Sequence, residues 1–276
     1  MPSSDKPTSQ LFGLRILLKE RELLIQFTKR ALTQETKGSA LGLTWLVLKP
    51  ILLLSLYVFV FGYIFDGKFT DLEEETRPMY AIGILIGLNV IHFLSEILAT
   101  SSRSIIDNHR LVKTTVFPIE VLPTSMVGKA AIEFSITSIL MFIGLFAFGI
   151  QPGINAWWFI PITLALVLWG QGLAYMLATF GVFLRDISQI TQVASMGLLY
   201  ASAVFYPVSL IPAAGWAILK FNPALIAIDA YRSTVLWNNA LPINNQIIYF
   251  FASSIGFYLI GYYVFSKYKR VFPDHI

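Results

Sequence analysis

The sequence predicts an all-α integral membrane protein: six transmembrane helices, an N-terminal amphipathic interface helix, and short re-entrant outer helices before the last span. Three observations carry this. Of 276 residues, 56% are hydrophobic and only 13% are charged, about half the charge a soluble chain uses to solvate its surface, and mean hydropathy is +0.68. Six windows of about twenty apolar residues recur, long enough to cross the hydrocarbon core. Sixteen of the twenty Lys and Arg residues fall in alternate connecting segments, the bias that orients membrane helices.

Residues 1–40 form a cytoplasmic segment ahead of a transmembrane domain over 41–276. Within it, Leu11 to Leu32 places Leu14, Leu17, Leu18, Leu24, Ile25, Ala31 and Leu32 on one helical face. Arg15, Lys19, Glu22, Gln26, Lys29 and Arg30 fall on the other. That stretch is too charged to span and suits a helix lying in the membrane interface. The first apolar window opens too late for a cleavable signal peptide, so the N-terminus is expected to be retained. The spans run over 41–65, 79–100, 124–148, 157–184, 187–206 and 246–265.

Basic residues concentrate in the N-terminal segment with Lys49, in the 103–129 loop, at Arg185 and in the tail, which puts both termini in the cytoplasm. Region 207–244 then lies outside, broken by Pro207, Pro212, Gly215, Pro223 and Pro242. Its apolar pieces, Ala213 to Leu219 and Ala224 to Leu236, are too short to cross and suit re-entrant helices with buried ends.

Little enzyme chemistry is legible. Neither Gly67-Lys68 nor Gly128-Lys129 has the surroundings of a phosphate loop, no HExxH occurs, and His92, His109 and His275 are scattered. With no Cys there is neither a disulfide nor a thiolate metal site. A net charge of +4 gives no case for nucleic acid. Glu96 and Glu133 stand inside spans, toward their cytoplasmic ends, and are expected to face protein or water. Gly83-xxx-Gly87 permits a close helix approach.

Span five carries Ser188, Gln192, Ser195 and Ser202 at i, i+4, i+7 and i+14, a polar face that suits either a hydrated passage or hydrogen bonding between packed helices. Tyr57 and Phe61 share a face of span one, and Phe205-Tyr206 ends span five. Such rings stack on sugar faces as well as on neighbouring helices.

The stretch Lys37-Gly38-Ser39-Ala40-Leu41-Gly42-Leu43-Thr44-Trp45, followed by Lys49-Pro50, resembles the opening of the membrane subunits of ATP-binding-cassette polysaccharide exporters of the O-antigen, capsule and teichoic acid group. Three later stretches agree in order. They are Asn108 to Lys113 with Phe117 to Pro123, then Phe183-Leu184-Arg185-Asp186, then Phe205-Tyr206-Pro207 with Phe221-Asn222-Pro223.

The resemblance implies a homodimer of six-span subunits in the inner membrane, working with two separate ATPase subunits. ATP and Mg would act in those partners, with no cofactor in this chain. It implies a coupling helix at Asn108, His109, Arg110, Leu111, Val112 and Lys113. The substrate would be a glycan on a polyprenyl pyrophosphate, most simply an O-antigen, with Lys29, Arg30, Lys37 and Arg185 as cationic candidates at its entrance. Tyr57, Phe61, Ser188, Gln192, Ser195, Ser202, Phe205 and Tyr206 are the candidates for the channel. A small-molecule efflux permease shares the layout, and a glycan-processing enzyme would have only Asp229 and the 66–75 loop as outer carboxylates.

Overall fold

The computed structural model describes residues 19–35, 37–64, 69, 76–114, 117–184 and 186–276. Among them the chain is helical and no strand occurs. Five helical stretches are long and apolar enough to cross a membrane: Gly42–Val60, Arg77–Ser101, Val121–Ala147, Ile154–Phe183 and Asn245–Tyr268.

Helix α1, Arg21–Glu35, is the part of the expected interface helix that lies within the described residues. It rests on the third span through Thr28, which is buried because Gly128 opposite has no side chain: a Cβ there would come within 2.8 Å of Thr28 Oγ1. The inward face is therefore Leu24, Phe27 and Thr28, and Ile25, expected on that face, is 65% exposed.

The turn into span one uses positive φ at Gly38 (85°) and Gly42 (49°), a conformation glycine adopts freely. Trp45 Nε1 donates to Ser39 Oγ at 2.9 Å, closing the turn. Helix α2, Trp45–Tyr57, contains Pro50 and continues over Val58–Ile64 as a wider π-helical segment. None of its residues is fully buried, although Leu54 and Tyr57 pack on the core.

Helix α3, Arg77–Ser101, is the hub, with most of its apolar length buried among its neighbours. After it come the short α4, His109–Thr114, then α5, Val121–Ala147, and α6, Phe159–Phe183. The fifth expected span begins as expected but is shorter. Helix α7, Ile187–Ala201, has 15 residues, about 22 Å at 1.5 Å per residue against a hydrocarbon core of about 30 Å. It stops because Ala203 turns to positive φ (51°).

The two short helices beyond it, α8 (Ala213–Leu219) and α9 (Pro223–Tyr231), match the two apolar pieces read from the sequence, the second extended by a π-helical turn over Arg232–Leu236. Their side chains finish α7. Asn222 caps α9, its Oδ1 accepting from Ala224 N at 3.0 Å, while its Nδ2 reaches Ala201 O at 3.1 Å. Arg232, 2% exposed, donates to Ala203 O at 2.8 Å and Val204 O at 2.7 Å. The last carbonyls of a helix lack intrahelical partners, and in an apolar surrounding they need such donors.

Helix α10, Asn245–Tyr268, crosses α6 at backbone contact. A Cβ on Gly261 would sit 2.3 Å from Gly172 O. The last helix, α11 (Phe272–His275), folds back beneath α6. Two buried apolar clusters result. The larger surrounds α3. The smaller joins Ile105, Val112, Tyr175, Tyr262, Phe265 and Phe272.

Candidate functional site

Two places in the bundle gather functional features. The first is the segment after α3. Ile106–Asn108 forms one tight 3-10 turn and runs into α4, a sharp helical corner secured by Asn108 Nδ2 donating to Ser104 O at 2.9 Å. Val112 is buried in the smaller cluster with Ile105. His109, Arg110 and Lys113 face outward and are exposed, and Leu111 is half-buried. An amphipathic helix of one and a half turns is thus pinned by one side chain and presents a basic surface.

The entry to α5 is tied down as well. Glu120, 2% exposed, accepts from Lys269 Nζ at 2.5 Å. The ring of Phe117 lies 5.3 Å from that of Phe27 on α1. Helices α1, α4, α10 and α11 therefore meet at one end of the bundle.

The second place is a cavity of about 310 Å³ between α2, α3, α5 and α7. Its lining is mostly apolar but includes Trp45, Lys49 and Tyr57 of α2 and Asn89, His92 and Glu133 of the opposite helices. Behind it runs an ion network. Lys129 Nζ is 2.6 Å from Glu96 Oε1 and 3.7 Å from Glu133 Oε1, and His92 Nε2 is 3.4 Å from Glu133 Oε2. Lys129 is 6% exposed. In an apolar medium a buried charge is tolerated only when paired, so this lysine explains how two carboxylates persist within the spans. Among the described residues, no group of three or more His, Asp or Glu side chains is arranged to hold a metal ion.

The residues singled out from sequence distribute unevenly over these places. Tyr57 lines the cavity, whereas Phe61 lies in the π-helical segment with its side chain outside what is described. Of the span-five set, Gln192 is exposed and Ser188 half-buried. Ser195 Oγ donates to Thr191 O at 2.9 Å, while Ser202, fully buried, donates to Leu198 O at 2.6 Å and accepts from Asn222 Nδ2 at 3.0 Å. Phe205 O accepts from Tyr80 at 3.1 Å and Tyr206 OH donates to Tyr200 O at 2.6 Å. Lys29, Arg30 and Lys37 are exposed at the α1 end, and Arg185 lies outside the described residues.

Sequence reasoning missed three participants. Asn89 is passed over, Lys129 is counted among the orienting basic residues of the 103–129 loop, and His92 reads as a scattered histidine. The available signal was spacing: Asn89, His92 and Glu96 repeat at i, i+3 and i+7, as do Lys129 and Glu133 at i and i+4, and two such faces on consecutive spans invite pairing. Arg232 was counted only as an outer orienting charge, and its burial has no local sequence signature.

A match to the family described as ABC-2 type transporter covers residues 22–236. The chain belongs to that family. Within ABC-2 transporters, a membrane permease of this kind works with ATPase subunits on separate chains. Similarity extends to individual relatives over most of their length. An O-antigen export system permease, RfbA of Klebsiella pneumoniae, is 27% identical over 92% of this chain and 94% of its own. RfbA of Myxococcus xanthus is 26% identical over 95% and 98%. The inner membrane transport permease YadH of Escherichia coli (strain K12) is 25% identical over 76% and 83%. This ABC-2 chain is accordingly a multi-pass membrane permease, as its five long apolar helices require.

Proposed function

We propose that this permease is the membrane subunit of an ATP-driven exporter that moves a polysaccharide linked to polyprenyl pyrophosphate, most simply an O-antigen, across the inner membrane. The observation that carries the reading is the near-full-length similarity to permeases named for O-antigen export. Two copies form a homodimer, each bound to one ATPase subunit, with both termini in the cytoplasm and α7 completing a sixth crossing. Helix α4 is the lever. Its exposed His109, Arg110 and Lys113 meet the ATPase, and Val112 transmits the push into the bundle.

The pyrophosphate is drawn to the basic end of the bundle by Lys29, Arg30, Lys37 and Arg185, since phosphates pair well with guanidinium and ammonium groups. The glycan then passes Tyr57, Phe61 and the α7 face with Ser188, Gln192 and Ser195. Near the outer end it meets Phe205 and Tyr206, with the buried Ser202 bracing the chain beneath them. Ring faces let sugars slide where a fixed set of hydrogen bonds would hold them. Deleting the gene should abolish one surface polysaccharide and leave its lipid-linked precursor inside the cell. Unaltered surface glycans in the deletion strain would refute the assignment.

A further inference from the structure

We propose that α2 is a strap that closes on the α3–α5 pair, with Lys49 crossing the cavity to pair with Glu133, and that the space of about 310 Å³ between them is the strap's open position. The inference concerns how the permease moves and holds whatever its cargo is.

Helix α2 is free to swing at one end only. None of its residues is fully buried, and Pro50 removes a backbone hydrogen bond inside the helix. Beyond Pro50 it is anchored, because Leu54 and Tyr57 pack on the larger cluster and a Cβ on Gly144 of α5 would meet Leu54 Cδ2 at 3.7 Å. The part around and before Pro50, with Trp45, Leu46 and Lys49, lines the cavity instead.

Apolar contact gives this part little reason to move. Lipid tails match the facing Leu85, Leu88 and Ile91 as well as α2 does, so apolar helix faces in a membrane gain little by meeting. Charge supplies the preference. Glu96 and Glu133 share Lys129, whose Nζ is 2.6 Å from Glu96 Oε1 but 3.7 Å from Glu133 Oε1. The other neighbour of Glu133, His92 Nε2 at 3.4 Å, is a cation only when protonated. With His92 neutral the network holds two carboxylates and one ammonium, and Glu133, the less closely paired of the two, lines the cavity.

Lys49 stands in the same lining, exposed and without an ion pair among the described residues. One turn into α2 and leaning toward the helix start, it reaches the headgroup region by snorkelling. Its other resting place is Glu133. An ammonium held between the two, in apolar surroundings, is costly, so the strap has two positions and no stable intermediate one.

The test uses the absence of Cys from the sequence. Leu46→Cys and Ser95→Cys, on α2 and α3 in the cavity lining but outside the ion network, become the permease's own pair of thiols. In membranes holding the whole exporter with its ATPase, they are treated with a short bifunctional thiol reagent, and the linked product is followed by mass spectrometry. Linking is expected, about tenfold slower in Lys49→Gln through loss of one charge-assisted contact, at least as slow in Lys49→Glu, and restored in Lys49→Arg. All three changes fall on an exposed residue. With Glu133→Gln already in place, Lys49→Gln should slow it no further. Linking that ignores the charge at residue 49, that stays equally sensitive to it beside Glu133→Gln, or that never occurs would overturn the strap.

Discussion

Arg232 Nε donates to the carbonyl oxygen of Gly83 at 2.9 Å, joining the short helix pair after α7 to the N-terminal third of the most buried span. The same guanidinium holds the Ala203 and Val204 carbonyls and lies 3.8 Å from the Phe69 ring centre. One planar cation with five donors thus fastens three segments. Arg232→Ala should destabilise the purified permease by several kcal/mol, about 1–3 kcal/mol for each buried carbonyl left without its donor. Arg232→Lys should recover little, because an ammonium lacks the fork that reaches several carbonyls. Wild-type melting of either variant would contradict this.

The α6–α10 crossing is equally specific. A Cβ on Gly172 would lie 2.5 Å from Phe257 O, whereas Gly256 has nothing within 4 Å. Gly172→Leu should therefore cost more than about 3 kcal/mol or prevent folding. Gly256→Ala should be neutral or stabilising by up to about 1 kcal/mol, since glycine is a poor helix former. Detergent-extracted yield and unfolding temperature of the two variants give the comparison.

Within the ion network, Lys129→Met would leave Glu96 and Glu133 without their shared cation. A loss of about 3–5 kcal/mol is expected. Adding Glu96→Gln and Glu133→Gln to Lys129→Met should restore much of it, because a neutral set carries no uncompensated charge. Stability measured around this cycle would show strong non-additivity; simple addition would mean that the three groups do not interact.

Helix α4 separates two kinds of failure. Arg110→Ala with Leu111→Ala should leave the complex assembled and hydrolysing ATP while export drops at least about tenfold, a coupling change of about 1.4 kcal/mol or more. Val112→Asp should instead destabilise the permease, since it puts a charge in the smaller buried cluster. ATPase and transport assays on the reconstituted complex, with a melting curve for each variant, distinguish the two.

Much of the fold was legible because lipid imposes a length and polarity rule on each span, and five helices obey it. The two short helices after α7 were legible for a related reason: Pro212 and Pro223 start them and their apolar pieces are too short to cross. The end of α7 was not, because it lies at Ala203, whose positive φ goes with a carbonyl held by Arg232, 29 residues away in the sequence. Gly83 and Gly87 read as a possible helix–helix contact and turn out to seat Phe69, Val204 and Arg232. The polar wall of the cavity escaped notice since Asn89, His92 and Glu133 come together only when two spans align.

The packing of α11 has a practical consequence. Phe272 is fully buried beneath α6, beside Phe265 and Phe183, and the same cluster contains Val112 of α4. The last residues thus act as a wedge under α4, the helix proposed above to receive the ATPase stroke. A fluorophore or spin label at Ile276 would register each stroke from outside the membrane, and a truncation before Phe272 would slacken the mechanism it was meant to leave alone.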